Sequence, residues 1–366
     1  MHRSWLEVSL GRIAGNFRAV RAVVGQQVAV MPVVKADAYR HGAVAVARAL
    51  EQAGARWLAV SNVQEGAVLR DAGIQTRILV MADFLPGSRE AFLDYRLTPV
   101  LHDLGEVAEL EHLATRRGQP TAFHLKIDSG MGRLGVRDAA APVADAVQAC
   151  RTAQLEGLMT HFASASDYGS AQTAEQTRYF FDLLAASGLR PAYVHLSSTI
   201  PIAYGRREAW GNMVRPGHAI YGYISPAKGP APDRELDVTP ALTWKTCVLT
   251  VKEIPAGAAI GYGAMFRAPR PMRIAILAAG YADGYPHRLS NKGKVLVQGR
   301  VCPVLGAVSM DVTTIDVTAV PGLQPGDPVT LLGGEIDAQQ IARTAGTISY
   351  AVLCGISSRV ARMFVD

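Results

Sequence analysis

Cysteine is scarce in this chain of 366 residues. Cys150, Cys247, Cys302 and Cys354 stand far apart, with no C-x-x-C pair. That spacing offers no disulfide framework and fits free thiols in a reducing cytoplasm. Long apolar runs are also lacking. The longest are strand-sized, so no segment is expected to span a bilayer and no membrane partner is implied. The N-terminus, MHRSWLEVSLGRI, has no sustained apolar stretch behind its basic residues and does not read as a signal peptide. Charge runs are missing too. The net charge is +6, yet the basic residues are dispersed, with nothing longer than TRR or GRR and no interleaved aromatics. A solvated basic surface that tolerates small anionic substrates fits better than a nucleic-acid partner. Internal repeats and low-complexity tracts are absent.

What is present is a chain that is 49% hydrophobic and 19% charged, enough for a large core in one large domain or two. Over the first 225 residues, short β-branched or apolar runs alternate with amphipathic stretches. Eight strands are expected, at 28–35, 57–61, 77–82, 97–102, 122–128, 155–162, 192–198 and 213–221. Between them HGAVAVARALEQAGA is apolar at helical spacing and stops at Gly54. NVQEGAVLRDAG opens on an Asn cap with Glu65 three residues later and ends at Gly73. Strand and helix repeated eight times predict a (β/α)8 TIM barrel. A doubly wound open sheet would usually show a Gly-rich phosphate turn after its first strand, and KADAYRHG is not one. After the Pro/Gly/Ala-rich stretch 225–240 the pattern changes to alternating strands and turns, with one helical segment, DAQQIARTAG. The division expected is a barrel over 1–232, whose first few residues could pack with the C-terminal domain, and a C-terminal, mainly-β domain over 233–366.

In such a barrel, reactive groups gather at the C-terminal ends of the strands. Lys35 ends the first strand, with Tyr39 beyond it. Lys126 ends the fifth and leads into IDSGMGRLG, with Arg133. His161 ends the sixth. The seventh carries His195, then Ser197, Ser198 and Thr199. The eighth carries Arg215, then PGHAIYG. Two chemistries compete. A metal-dependent barrel hydrolase would use His161 and His195 as ligands. It also needs a His-x-His pair after strand one and an aspartate after strand eight, where this chain has VKAD and VRPG. A Schiff-base enzyme using pyridoxal phosphate needs a lysine amine, groups for the phosphate, and a partner for the pyridine nitrogen. Lys35 can be the amine. Tyr39, Ser198, Thr199 and the Gly217–His218 backbone can hold the phosphate. Arg215 can face the nitrogen.

The ordered segments AVMPVVKADAYRHGA, KIDSGMGRLGV, THFASAS, VRPGHAIYG, IGYGAMF, GYADGY, GAVSMDVTTIDV and YAVLCGISSRVAR together resemble bacterial alanine racemase, from the first strand almost to the C-terminus. The resemblance implies a pyridoxal 5'-phosphate enzyme that interconverts L- and D-alanine for peptidoglycan, built as a homodimer with shared active sites. It implies that Lys35 holds the cofactor and that Tyr39, Thr199, Gly217, His218 and Tyr350 take the phosphate. Arg215 would face the pyridine nitrogen and Arg133 the ring oxygen and substrate carboxylate. Lys126 would be a carbamate steadying Arg133. His161 would link to the catalytic Tyr262, which enters from the other subunit. Met310 would offer its backbone N–H to the substrate carboxylate, and Tyr281 would stand at the entrance. Racemisation needs proton transfer on both faces of the cofactor, which Lys35 and Tyr262 would divide. No metal is implied.

The chain departs from the family pattern in places. KADAYRHG replaces the more frequent KANAYGHG, so Asp37 and Arg40 are unusual; Ser198 stands for an amide and Met265 for a threonine. These changes leave a serine or broad-specificity racemase as the nearest alternative. A barrel decarboxylase is more remote, because it would bring a cysteine-bearing loop where this chain has IGYGAMF.

Overall fold

A computed structural model describes residues 2–366 of the chain. The chain divides into two compact units. One comprises residues 12–38 and 43–239; the other takes in the N-terminal residues up to Gly11, residues 39–42 and residues 240–366.

The first unit is a parallel barrel. Strands Trp57–Val60, Arg77–Val80, Thr98–Leu101, Thr121–Lys126, Ala153–Met159 and Tyr193–His195 pair in chain order, all parallel. Ala29–Val30 pairs in parallel with Met213–Val214. Hydrogen bonds close the two remaining gaps. On one side, Ala59 N donates to Pro32 O (2.9 Å) and Val34 N to Ala59 O (2.8 Å); on the other, Asn212 N donates to Val194 O (3.0 Å) and Arg215 N to Ser197 O (2.9 Å). The eight expected strands are therefore all present. Three are much shorter than expected; the seventh, expected over 192–198, spans only Tyr193–His195. Regular pairing of the first with the last stops at Val30: Met31 N and Val33 N still donate to Val214 O and Pro216 O (2.9 Å each), but Pro216 has no N–H to return. The last ends at Val214 rather than 221; Pro216 follows, and His218–Tyr221 forms a short 3-10 helix instead.

Helices separate the strands. Leu104–Arg117 shows why they form. Its buried Val107, Leu110, Leu113 and Ala114 recur at helical spacing, Asp103 caps its start through Gly105 N (2.7 Å), and Gly118, at φ 59°, ends it. Each fully buried leucine contributes about 1.5–3 kcal/mol. In Val63–Asp71 the Asn62 cap accepts from Glu65 N (2.9 Å), as the sequence predicts.

The second unit is mainly β. Its sheet runs in the order Arg300–Pro303, Lys294–Val297, Pro328–Leu332, Leu242–Ile254, Ser4–Ser9, Ala361–Val365. Met272–Leu277 joins from the long strand Leu242–Ile254 and pairs on with Thr313–Asp316. The N-terminal strand Ser4–Ser9 lies antiparallel to Leu242–Ile254 and parallel to Ala361–Val365. The DAQQIARTAG helix is Ala338–Ala345, capped by Asp337 through Gln340 N (2.7 Å). Among the described residues, no helix is long and apolar enough to cross a membrane.

Candidate active site

Lys35 stands where the first barrel strand ends, and the backbone beyond it turns the wrong way for L-residues. Ala36, Asp37, Ala38, Tyr39 and Arg40 all have φ between 52° and 67°. This is a left-handed helical turn without a glycine, at a cost of roughly 1–2 kcal/mol per residue. Local bonds hold it. The Glu65 carboxylate accepts from Ala36 N (2.7 Å) and Ser61 N (2.7 Å), and Asp37 Oδ1 accepts from Ala43 N (2.8 Å). Arg40 Nε donates to Cys354 O (3.3 Å), and Arg40 O accepts from Arg362 Nε (3.0 Å). Glu65 thus does more than cap a helix: it fixes the residue after Lys35, which helix-cap reasoning did not reveal.

Lys126, Arg133, His161 and Arg215 meet Lys35 at the mouth. Lys126 is buried, and its amine is pushed down to about 8, first by burial and then by the positive charges of Arg133 and Arg215, with Lys35 adding to them. The His161 imidazole is pushed down to about 3, by burial first and then by Arg215, Lys126, Arg133 and Lys35. Asp128 opposes the charge on Lys126, but its oxygens serve the next loop. They accept from Gly130 N (3.1 Å), Met131 N (2.8 Å) and Gly132 N (3.0 Å), and from Arg137 Nε (3.0 Å). That carboxylate shapes the loop bearing Arg133.

Arg215 is buried, with both of its terminal nitrogens engaged. Its guanidinium donates to Thr160 O (2.6 Å), His195 O (2.7 Å), Leu196 O (3.0 Å) and His195 Nδ1 (2.8 Å), and reaches His161 Nδ1 at 3.5 Å. Burial lowers its pKa to about 9, so it stays charged at neutral pH. The two Nη2 hydrogens go to Thr160 O and Leu196 O, so His161 Nδ1 sits beside the cation at the limit of bonding distance, which favours its lone pair there and its proton on Nε2. His195 therefore serves Arg215 as a support, not as a metal ligand. Nearby, Ser198 precedes the helix Thr199–Ala203, and Gly217 precedes His218–Tyr221. Thr199 Oγ1 accepts from Ala219 N (3.2 Å), which locks these two openings side by side. Opening turns offer N–H groups that their own helices do not use. A mouth where buried Lys126 and Arg215 meet half-buried Lys35 and exposed Arg133, beside two helix openings, fits an anionic ligand with a phosphate, and Lys35 supplies an amine for an aldehyde.

The remaining predicted residues belong to the second unit. Tyr39 and Tyr350 lie together there, ring centroids 6.0 Å apart. Burial raises the Tyr39 hydroxyl, with Tyr350 and Cys354 adding to it, so it is a neutral donor. Tyr262 is 79% exposed, between Gly261 (φ 70°) and Gly263 (φ 68°). Asn291 steadies this loop: its Nδ2 donates to Met265 O (2.8 Å) and its Oδ1 accepts from Gly306 N (2.6 Å). Tyr281 and Met310 are exposed on adjoining loops, joined by Tyr281 N to Ser309 O (3.0 Å) and Ala282 N to Met310 O (2.9 Å). Arg359 ties the same loops, donating to Asp283 Oδ1 and Asp311 Oδ1 (2.7 Å each). Asn291, Asp283, Asp311 and Arg359 were not anticipated as parts of a site. The last three lie inside GYADGY, SMDV and GISSR, which was the available signal.

A (β/α)8 barrel with a lysine at the end of its first strand, a cationic mouth and a β domain defines an α/β-barrel enzyme class that handles small anionic ligands. The alanine racemase N-terminal domain model matches residues 8–226 and the C-terminal domain model residues 241–364. An alanine racemase of Halothermothrix orenii is 40% identical over 374 residues, covering 99% of this chain and 96% of that protein. The solved alanine racemase of Clostridium difficile 630 superposes with a TM-score of 0.92 at 31% identity, covering 99% and 96% of the two chains. That of Bartonella henselae, with covalently bound pyridoxal phosphate, gives 0.90 at 26% identity over the whole of both chains. The chain belongs to the alanine racemase family.

Proposed function

We propose that this chain is a pyridoxal-phosphate-dependent alanine racemase working by a two-base mechanism, and that it supplies D-alanine for peptidoglycan in the cytoplasm. The observation that carries this reading is the meeting of Lys35 with Lys126, Arg133, His161 and Arg215 at one barrel mouth. When bound, pyridoxal phosphate supplies an aldehyde that captures amino groups and a ring that accepts the electrons left when the Cα proton departs.

The chain's residues do the rest. Lys35 anchors the cofactor and moves the proton on one face of the substrate. Tyr262 of the partner subunit moves it on the other. An ordinary tyrosine hydroxyl has a pKa of about 10, so its deprotonated form needs support. His161, neutral with its proton on Nε2, is a donor for that role, backed by the charge of Arg215. Arg215, always a donor, keeps the ring nitrogen unprotonated, which limits side reactions. Arg133 and the Met310 N–H hold the substrate carboxylate, and Tyr281 lines the entrance. Tyr39, Ser198, Thr199, Gly217, His218 and Tyr350 hold the phosphate. The lowered Lys126 amine suits carbamate formation, which would exchange like-charge repulsion with Arg133 for a charge-assisted bond.

The test is deuterium wash-in at Cα of L-alanine and L-serine in heavy water, followed with optical rotation. Alanine should exchange and lose its rotation together, with serine much slower. An enzyme that exchanges neither amino acid would sink the proposal.

A further inference from the structure

Arg215 is one end of a polar line that crosses the barrel core. His195 takes a guanidinium hydrogen on Nδ1, and its Nε2 lies 2.8 Å from His124 Nδ1. His124 Nε2, buried and without a hydrogen-bond partner, has Glu156 Oε2 3.6 Å away. Glu156 in turn holds Arg77 through two parallel bonds of 2.6 Å, and Arg77 lies over the Trp57 ring at 3.9 Å. Both imidazoles are buried, and burial lowers the pKa of each.

Donor arithmetic then leaves one arrangement. Arginine has no lone pair to offer, so His195 Nδ1 must accept. A neutral His195 then carries its hydrogen on Nε2 and donates to His124 Nδ1. A neutral His124 therefore carries its own on Nε2, facing the carboxylate. A lone pair there would face a negative oxygen instead. The cradle is specific for this ring: a Cβ on Gly157 would come within 2.4 Å of His124 Nδ1.

We propose that Glu156, midway along the strand Ala153–Met159, is a positioning residue for Arg215, fixing through His124 and His195 the proton arrangement that keeps the guanidinium in place. Its effect on catalysis rests on the role proposed above for Arg215; the proton arrangement itself does not. The physical analogue is a carboxylate that sets a histidine tautomer from behind. In Glu156→Gln the side-chain amide can present N–H to His124. That reverses both imidazoles and sets an N–H against the arginine N–H.

The test is long-range proton–nitrogen NMR on the cofactor-loaded enzyme with nitrogen-15 histidine. Wild type should show His124 and His195 neutral, with the proton on Nε2 in both. Glu156→Gln should lose that single pattern, shift the cofactor's visible absorption and lower kcat about 10-fold or more, with KM little changed. Glu156→Asp should restore much of each signal. Arg77→Met, which removes the ion pair and keeps the carboxylate, should retain the Nε2 pattern. An Nδ1 proton or a charged ring in wild type overturns the proposal without any variant. So does a Glu156→Gln enzyme with wild-type tautomers, whatever its stability. A wild-type protein with the Nε2 pattern and no alanine turnover would instead overturn the racemase reading.

Discussion

Arg40 occupies a backbone conformation that suits glycine, with φ at 67°. The related pattern has asparagine and glycine where this chain has Asp37 and Arg40, and those two residue types tolerate the left-handed region best. Asp37 keeps the advantage of a short polar side chain, bonded to Ala43 N. Arg40 gives up the glycine and recovers part of the cost through Cys354 O at 3.3 Å. Arg40→Gly should therefore stabilise the protein by about 0.5–1 kcal/mol, since strain relief outweighs one long, partly exposed bond. Thermal denaturation of the two proteins measures this; a lower midpoint for the glycine variant would show that Arg40 is held by more than that bond.

Among the elements, the loop from Asp128 to Val136 depends most on a single side chain. Asp128 is partly desolvated, which raises its pKa, but the N–H groups of Gly132, Gly130 and Met131, with Arg137, lower it on balance. A lowered folded-state pKa means the carboxylate's stabilisation is complete above its unfolded value, about 3.9. It disappears as pH falls through the lower folded value. Protection of the Gly130–Gly132 amides, relative to their intrinsic exchange rates at each pH, should hold at neutral pH and be lost only in strong acid. Asp128→Asn should be loose across the range and raise KM for alanine several-fold, because Arg133 rides on this loop. Elements of this kind mark the limit of the sequence as a guide. The barrel strands and the cap on Asn62 were legible because periodicity and capping are local. The left-handed turn was not, since nothing in KADAYR announces positive φ without a glycine. Ser4–Ser9 and Ala361–Val365 were missed as a parallel pair, because only tertiary pairing joins chain ends so far apart. The lysine, arginine and histidine positions at the strand ends could be read; the Glu156–His124–His195 line could not, as it exists only across strand neighbours.

At the scale of the whole molecule, four barrel histidines dominate the response to acid. His102 is lowered to about 4 and His161 to about 3, and His124 and His195 are also lowered, in each case by burial first. Unfolded, these rings take up protons below about pH 6.5. The folded state therefore binds fewer protons, and stability falls as pH drops through that value. Calorimetry at pH 7 and pH 5 should show a lower midpoint and net proton uptake on unfolding at pH 5. No pH dependence would mean that these rings are charged in the folded state. A second prediction concerns assembly. Under the proposed mechanism, inactive Lys35→Ala and Tyr262→Phe proteins should regain activity when their protomers exchange, because each mixed dimer pairs an intact lysine with an intact tyrosine. Absence of rescue in verified mixed dimers would place both groups in one chain.

The exposure of Tyr262 carries a consequence for the cell. A tyrosine that lies largely open in a lone chain, and that the proposed mechanism needs against a second copy, would make output depend on encounters between copies. At concentrations near the dimer dissociation constant, halving the gene's expression would cut turnover by more than half. A variant chain that still pairs but lacks one base would not depress the wild-type copies around it, because its remaining base completes one site in each mixed dimer, so that loss would be felt in simple proportion to dosage.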